Sequence, residues 1–125
     1  MDKAFKVFLS ALRQELPLID NIQRMAVLDQ YLRERYFQPE LAYGVFDSEP
    51  EQSIMVAVNN TYEAEQLANY VGETFSQVCV LVVSNQTNDA HFLYPGGKVE
   101  QAGTWTAACI EDIQDCTFWR GVWWS

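Results

Sequence analysis

The sequence predicts an α+β fold, with two N-terminal helices and a third helix packed on a mostly antiparallel sheet of about 4–6 strands. Three observations predict it. Apolar residues recur at the helical period over 3–36 and again over 64–75; the period drops to two between 41 and 58; and Val78–Val83 is apolar on both strand faces. A chain of 125 residues has room for one core, so residues 1–125 form a single globular domain.

Phe5, Phe8, Leu9, Leu12 and Leu16 fall on one stripe of a helix over residues 3–16, which Pro17 ends by disfavouring helical geometry at Leu16. A second helix starts after Asp20, with Gln23 in capping-box register. It buries Met25, Leu28, Leu32 and Tyr36 and reaches its limit at Pro39. Leu41, Tyr43 and Val45 then alternate with Ala42, Gly44 and Phe46. Ser48-Glu49-Pro50-Glu51 supplies a turn, and Ile54, Val56 and Val58 form the return strand of a hairpin. Asn60 and Glu63 carry a second capping signal ahead of a third helix, which buries Ala64, Leu67, Ala68, Val71 and Phe75, with Gly72 weakening its last turn.

Val78–Val83 reads as a central strand and Ala90–Tyr94 as its antiparallel neighbour across the polar turn Asn85–Asp89. Pro95-Gly96-Gly97 is a further turn. Residues 104–114 fit either a helix aligning Trp105, Cys109 and Ile113 or a strand alternating Trp105, Ala107 and Cys109. Phe118–Trp124 reads as one final aromatic strand, with Phe118, Arg120, Val122 and Trp124 on one face and Trp119 and Trp123 on the other.

The formal charge is −9, and it is unevenly spread. Residues up to Arg35 hold six basic and five acidic side chains, whereas from Tyr36 onward only Lys98 and Arg120 face twelve acids. Such a surface repels a phosphate backbone, which excludes ordinary nucleic-acid binding. It serves either solubility or the steering of a basic partner. No apolar run approaches the roughly 18–20 residues that span a bilayer, so no membrane association is expected. Ser10, Arg13, Gln14 and Glu15 interrupt any signal-like apolar run near the N terminus. The cysteines, Cys79, Cys109 and Cys116, are three in number and lack Cys-x-x-Cys spacing. A cytoplasmic protein with reduced thiols is the expectation.

The chemistry-bearing residues are sparse. His91 is the single histidine, in a predicted strand, and a nucleophilic pair would need Cys79 or Cys109 brought to it. Pro95-Gly96-Gly97-Lys98 lacks the spacing and the following hydroxyl residue of a phosphate loop. Glu111, Asp112 and Asp115 are acidic neighbours without calcium-loop spacing. The sequence therefore predicts no catalytic residue, no cofactor and no metal.

Three of the four tryptophans fall in Trp119–Trp124, beside Arg120. They suit core packing or, being interface-forming residue types, a partner surface. Together these features predict a small acidic protein-binding module of inhibitor, immunity, anti-defence or chaperone type, the kind of accessory protein found in phages and bacteria, and not an enzyme. Its partner is a protein, basic in character, or a second copy of the chain in a homodimer. Glu49 and Glu51 would steer from an exposed turn, and Trp119, Arg120, Trp123 and Trp124 would anchor. The alternatives are a small-molecule binder or small enzyme with a pocket between helices and sheet, and a structural or assembly subunit.

Overall fold

The computed structural model describes residues 3–46, 49–105, 116–119 and 122–124, with side chains given for 3–43 and 51–105. In chain order the elements are β1 (Phe5–Leu9), α1 (Leu18–Glu34), β2 (Glu40–Phe46), β3 (Glu49–Val58), α2 (Thr61–Phe75), β4 (Val80–Ser84), β5 (Asp89–Leu93), β6 (Val99–Thr104), β7 (Cys116–Trp119) and β8 (Val122–Trp124). All neighbouring strands run antiparallel in the order β6-β5-β4-β1-β3-β2-β7-β8. Six of them, β6 to β2, make the body of the sheet, and β7 and β8 extend it. The elements β1-α1-β2-β3-α2-β4 form a split β-α-β unit, the arrangement of ferredoxin-like folds.

The expected first helix is a strand. Phe5-Lys6-Val7-Phe8-Leu9 lies at the centre of the sheet, with Val7 paired to Val56 on one side and Val82 on the other. Val7 is 0% exposed and its neighbour Phe8 5%, although they face opposite sides. A strand buried on both faces shows no clean alternation, and here its apolar residues coincide with a helical stripe. The expected pair of N-terminal helices is thus one strand and one helix, and among the described residues the sheet carries two helices instead of three.

The loop between β1 and α1 has its polar backbone satisfied by side chains from both helices' surroundings, so it needs no helical hydrogen bonds. Buried Asn21 donates to the Arg13 carbonyl (2.9 Å) and accepts from the Arg13 amide (3.0 Å). Arg24 Nε donates to the Ala11 carbonyl at 2.6 Å and its Nη2 to that of Phe75. Gln77 donates to the Leu12 carbonyl at 2.9 Å.

Helix α1 starts at Leu18, before the expected Asp20, and buries Asn21, Met25, Leu28 and Leu32. Tyr36 lies past its end at φ 65 and is 95% exposed, not part of the apolar face. Helix α2 begins as its capping residues require: the Glu63 amide donates to Asn60 Oδ1 (2.9 Å), and the Asn59 amide donates to Glu63 Oε2 (2.9 Å). The helices join through Tyr31 and Tyr70, stacked at 3.4 Å with planes 6° apart, and the Arg35 guanidinium lies 3.7 Å over Tyr31. Both helices cover the sheet face that presents Val7, Leu9, Ile54, Val56, Val58, Val80 and Val82.

The central strand begins at Val80, later than the apolar run suggests; Val78 is 73% exposed and Cys79 half-buried. The turn at 95–97 joins β5 to a strand absent from the sequence reading, β6, whose six residues are all exposed at the sheet edge. The final aromatic strand is instead a hairpin of β7 and β8. The choice between helix and strand for 104–114 falls largely outside the described residues, as do Glu111, Asp112 and Asp115. Among the described residues no helix is long and apolar enough to cross a membrane.

Gly72 sits inside α2, where alanine is ordinarily the better helix former. A Cβ there would run into Cγ of Pro95, the start of the β5–β6 turn. Gly72→Ala should therefore lower unfolding free energy by about 1–3 kcal/mol in a urea titration, despite the roughly 1 kcal/mol that helix propensity alone would gain.

Candidate functional site

The sheet face away from the helices holds a second buried cluster: Phe8, Ala42, Met55, Val83, Ala90 and Trp105, with Leu81 packed against it. Trp105 follows β6 and is 4% exposed; its ring centroid lies 5.3 Å from that of Phe8. Lys6, on the same face of β1 as Phe8, donates to Asn85 Oδ1 and lies 5.8 Å over the Trp105 ring.

Along β3 this face presents Met55, Ser53 and then Glu51, alternate residues of one strand. Glu51 is half-buried, and burial pushes its carboxyl above the ordinary carboxylate range. Neither of the ion pairs among the described residues, Arg13–Glu15 and Arg33–Asp29, involves it. A desolvated carboxylate at the end of an apolar strip is primed either to take a proton or to meet a cation.

Strand register decides what shares the row with Glu51. Glu51 pairs with Gly44, Gly44 with Thr117, and Thr117 with Trp124. Directly paired residues lie on the same face, so Glu51, Gly44, Thr117 and Trp124 occupy one row across β3, β2, β7 and β8. The neighbouring row, Gln52–Tyr43–Phe118–Trp123, belongs to the helix-bearing face.

Of the six residues singled out in the sequence, the fold brings Glu51 and Trp124 into one row. Trp119 pairs with Val122 on that same face, and Trp123 lies on the other. The predicted alternation, which set Trp119 apart from Trp124, fails because the chain turns back between β7 and β8. Glu49 and Glu51 lie in β3, where the sequence predicts an exposed turn. Arg120 lies outside the described residues. Gly44 and Thr117 were not anticipated; the available signal was a glycine inside an alternating strand, which marks a close approach.

Other locations serve chemistry less well. A groove of about 360 Å³ between α1 and the end of α2 is lined by Leu16, Asp20, Gln23, Arg24, Val27 and Phe75, but its guanidinium is committed to two backbone carbonyls. His91 is half-buried in β5, and burial pushes its pKa below the ordinary imidazole value. It pairs with Val82, three residues beyond Cys79, so His91 and Cys79 form no pair; Cys109 lies outside the described residues. Burial and the Glu100 carboxylate push the Cys79 thiol upward, away from a reactive thiolate. Among the described residues no group of three or more His, Cys, Asp or Glu can hold a metal ion.

Comparison with known proteins overturns the functional expectation. The model of the S-adenosylmethionine lyase family matches residues 7–125, while no curated protein matches the chain. A match to a family of lyases replaces the protein-binding inhibitor and the expected lack of catalysis with an enzyme. The single histidine and the absent nucleophile motifs exclude only catalysis that depends on them. The chain belongs to the S-adenosylmethionine lyase family.

Proposed function

We propose that this protein cleaves a carbon–sulfur bond of S-adenosylmethionine, and that it does so on the sheet face away from the helices. The family match over residues 7–125 carries the reading. The substrate's sulfur is a sulfonium, a leaving group that needs no activation. When its bond to carbon breaks, the bonding pair stays on sulfur and a neutral thioether departs. The carbon left behind is satisfied from within the substrate: its own carboxylate closes onto it, or a neighbouring proton leaves for a base as a double bond forms. Both routes balance without water, oxidant or a second substrate.

The protein's work is then to hold a cation, orient its amino-acid arm and keep water away. Glu51, once ionised, offers a countercharge to the substrate's ammonium. The apolar strip of Phe8, Met55 and Trp105 supplies the low-polarity surroundings in which sulfonium charge is readily lost. The acidic balance from Tyr36 onward favours the approach of a cationic substrate over a neutral product.

Purified protein incubated with S-adenosylmethionine should release an adenosyl thioether, separable by reversed-phase chromatography; persistence of intact substrate would sink the reading. Glu51→Gln should lower kcat/KM by about tenfold or more, with the parent's rate falling as pH drops through the raised pKa of Glu51. Raising ionic strength from roughly 0.05 to 0.5 M should also lower kcat/KM, since screening shortens the reach of the acidic field.

The same substitution should act oppositely on stability. A carboxyl whose folded pKa is raised binds its proton more tightly in the native state. Its contribution is fully present below the unfolded pKa and is lost as pH rises through the folded one. At pH 7 the parent carries a desolvated charge that Glu51→Gln removes. The variant should therefore melt at a higher temperature than the parent at pH 7, with the gap closing below about pH 4.

A further inference from the structure

We infer that two copies of this chain associate through the outer face of α1, helix against antiparallel helix. The inference concerns assembly and stands apart from the proposed cleavage.

Between Leu18 and Gln30 seven residues of α1 are exposed, and none of them is charged. Five are apolar: Leu18, Ile19, Ile22 and Val27, exposed by 76%, 61%, 54% and 50%, and the smaller Ala26. They recur at the helical period, away from the buried stripe of Asn21, Met25, Leu28 and Leu32. The charged residues of the same span, Asp20, Arg24 and Asp29, are half-buried at its flanks. Arg24 is held by the Ala11 and Phe75 carbonyls, and Asp29 by Arg33. The second helix on this side of the sheet is ordinary by comparison. In α2 the large apolar exposed residue is Tyr62, and the charged residues, Glu63, Glu65 and Glu73, are all acidic. Single apolar residues are normal on a surface, whereas a contiguous set over more than three helical turns marks an interaction face.

Charge and symmetry identify the occupant as a second copy. At −9 per chain, two copies repel wherever their acids meet. Contact through the uncharged face of α1 opposes no like charges and strips water from none. A basic partner would be drawn to the acids from Tyr36 onward and would leave this face bare. An anionic membrane would need lysines or arginines along the exposed face, which has neither. The face is also complementary to itself. In an antiparallel crossing centred between Ile22 and Gln23, Leu18 lies opposite Val27 of the partner, Ile19 opposite its Ala26, and Ile22 opposite its Gln23. Two-fold symmetry makes each of these contacts twice, and the small Ala26 leaves room for Ile19 to seat. Seven residues a side is fewer than the roughly 20–30 of a standard stable interface, so the association is reversible, in the micromolar range.

Sedimentation velocity on the full chain tests this. At about 200 μM, well above a micromolar dissociation constant, the parent should sediment at twice the mass of Ile19→Glu or of Ala26→Lys. Combining the two substitutions should restore the doubled mass, because a carboxylate of each copy then faces an ammonium of the other. Within one helix the two positions are seven residues, about 10 Å, apart and do not satisfy each other. Tyr62→Glu, on α2, should associate as the parent does. Rising salt should strengthen the parent's association by screening the repulsion between two acidic bodies. Far-UV circular dichroism and melting curves verify folding, and Ile22→Ser replaces either single variant that does not fold. The interface is overturned if the parent sediments at the same mass as the single variants, or if the double variant stays at the lower mass. It is equally overturned if Tyr62→Glu disrupts association as Ile19→Glu does, or if salt weakens the parent's association.

Discussion

Strand β1 is buried on both faces, and the architecture follows from that constraint. All five of its residues pair with β3 on one side and Phe5 to Phe8 pair with β4 on the other, and consecutive residues Val7 and Phe8 are both almost fully buried on opposite sides. A sheet with such a strand at its centre must be covered twice. The two helices cover one side through Leu28, Leu32, Leu67 and Val71. On the other side Trp105 closes against Phe8. The two coverings differ in kind: the helical one is continuous, whereas the second shades from the apolar cluster around Met55 to the half-buried carboxyl of Glu51 along a single strand.

This division also sorts the charges. Several basic residues of the first 35 have structural tasks: Arg13 reaches the Ser76 carbonyl at 3.1 Å, Arg24 joins the β1–α1 loop to the end of α2, Arg33 pairs with Asp29 at 2.8 Å and Arg35 lies on Tyr31. They hold loops and helix ends. The acids from Tyr36 onward have few bases to neutralise them, so their field extends outward, and Glu51 meets it where water is already partly excluded.

Much of the architecture was legible in the sequence, and the failures have physical causes. The helix over 61–75 was legible because Asn60 and Glu63 cap it by local hydrogen bonds that do not depend on the rest of the fold. The β2–β3 hairpin was legible through its alternation. Residues 5–9 misled because burial on both faces erases alternation, and Leu12 and Leu16 happen to continue the stripe in a loop held by Asn21, Arg24 and Gln77. Strand β6 gave no signal because all six of its residues are exposed, leaving no buried face to impose a pattern. For the site, Glu51 and Trp124 were noticed singly, as charge and as aromatic. Their shared row depends on pairings between residues more than 70 positions apart, which no local pattern encodes.

The function escaped the sequence for a different reason. Searches for catalytic motifs look for groups that activate a poor leaving group or generate a nucleophile, and a sulfonium substrate requires neither. What remains for the protein is placement and polarity, which reside in register and burial more than in residue spacing. A carboxylate held partly out of water is costly to the fold, and no structural partner among the described ion pairs offsets that cost. On the proposed reading a cationic substrate would offset that cost: the carboxylate would gain a countercharge in the bound state, while the adjacent apolar strip would favour loss of the sulfonium charge. The acidic surroundings would then hold a neutral thioether less firmly, so that the desolvated carboxylate, the charge asymmetry and the direction of the proposed reaction would share one origin, the loss of a positive charge from the substrate.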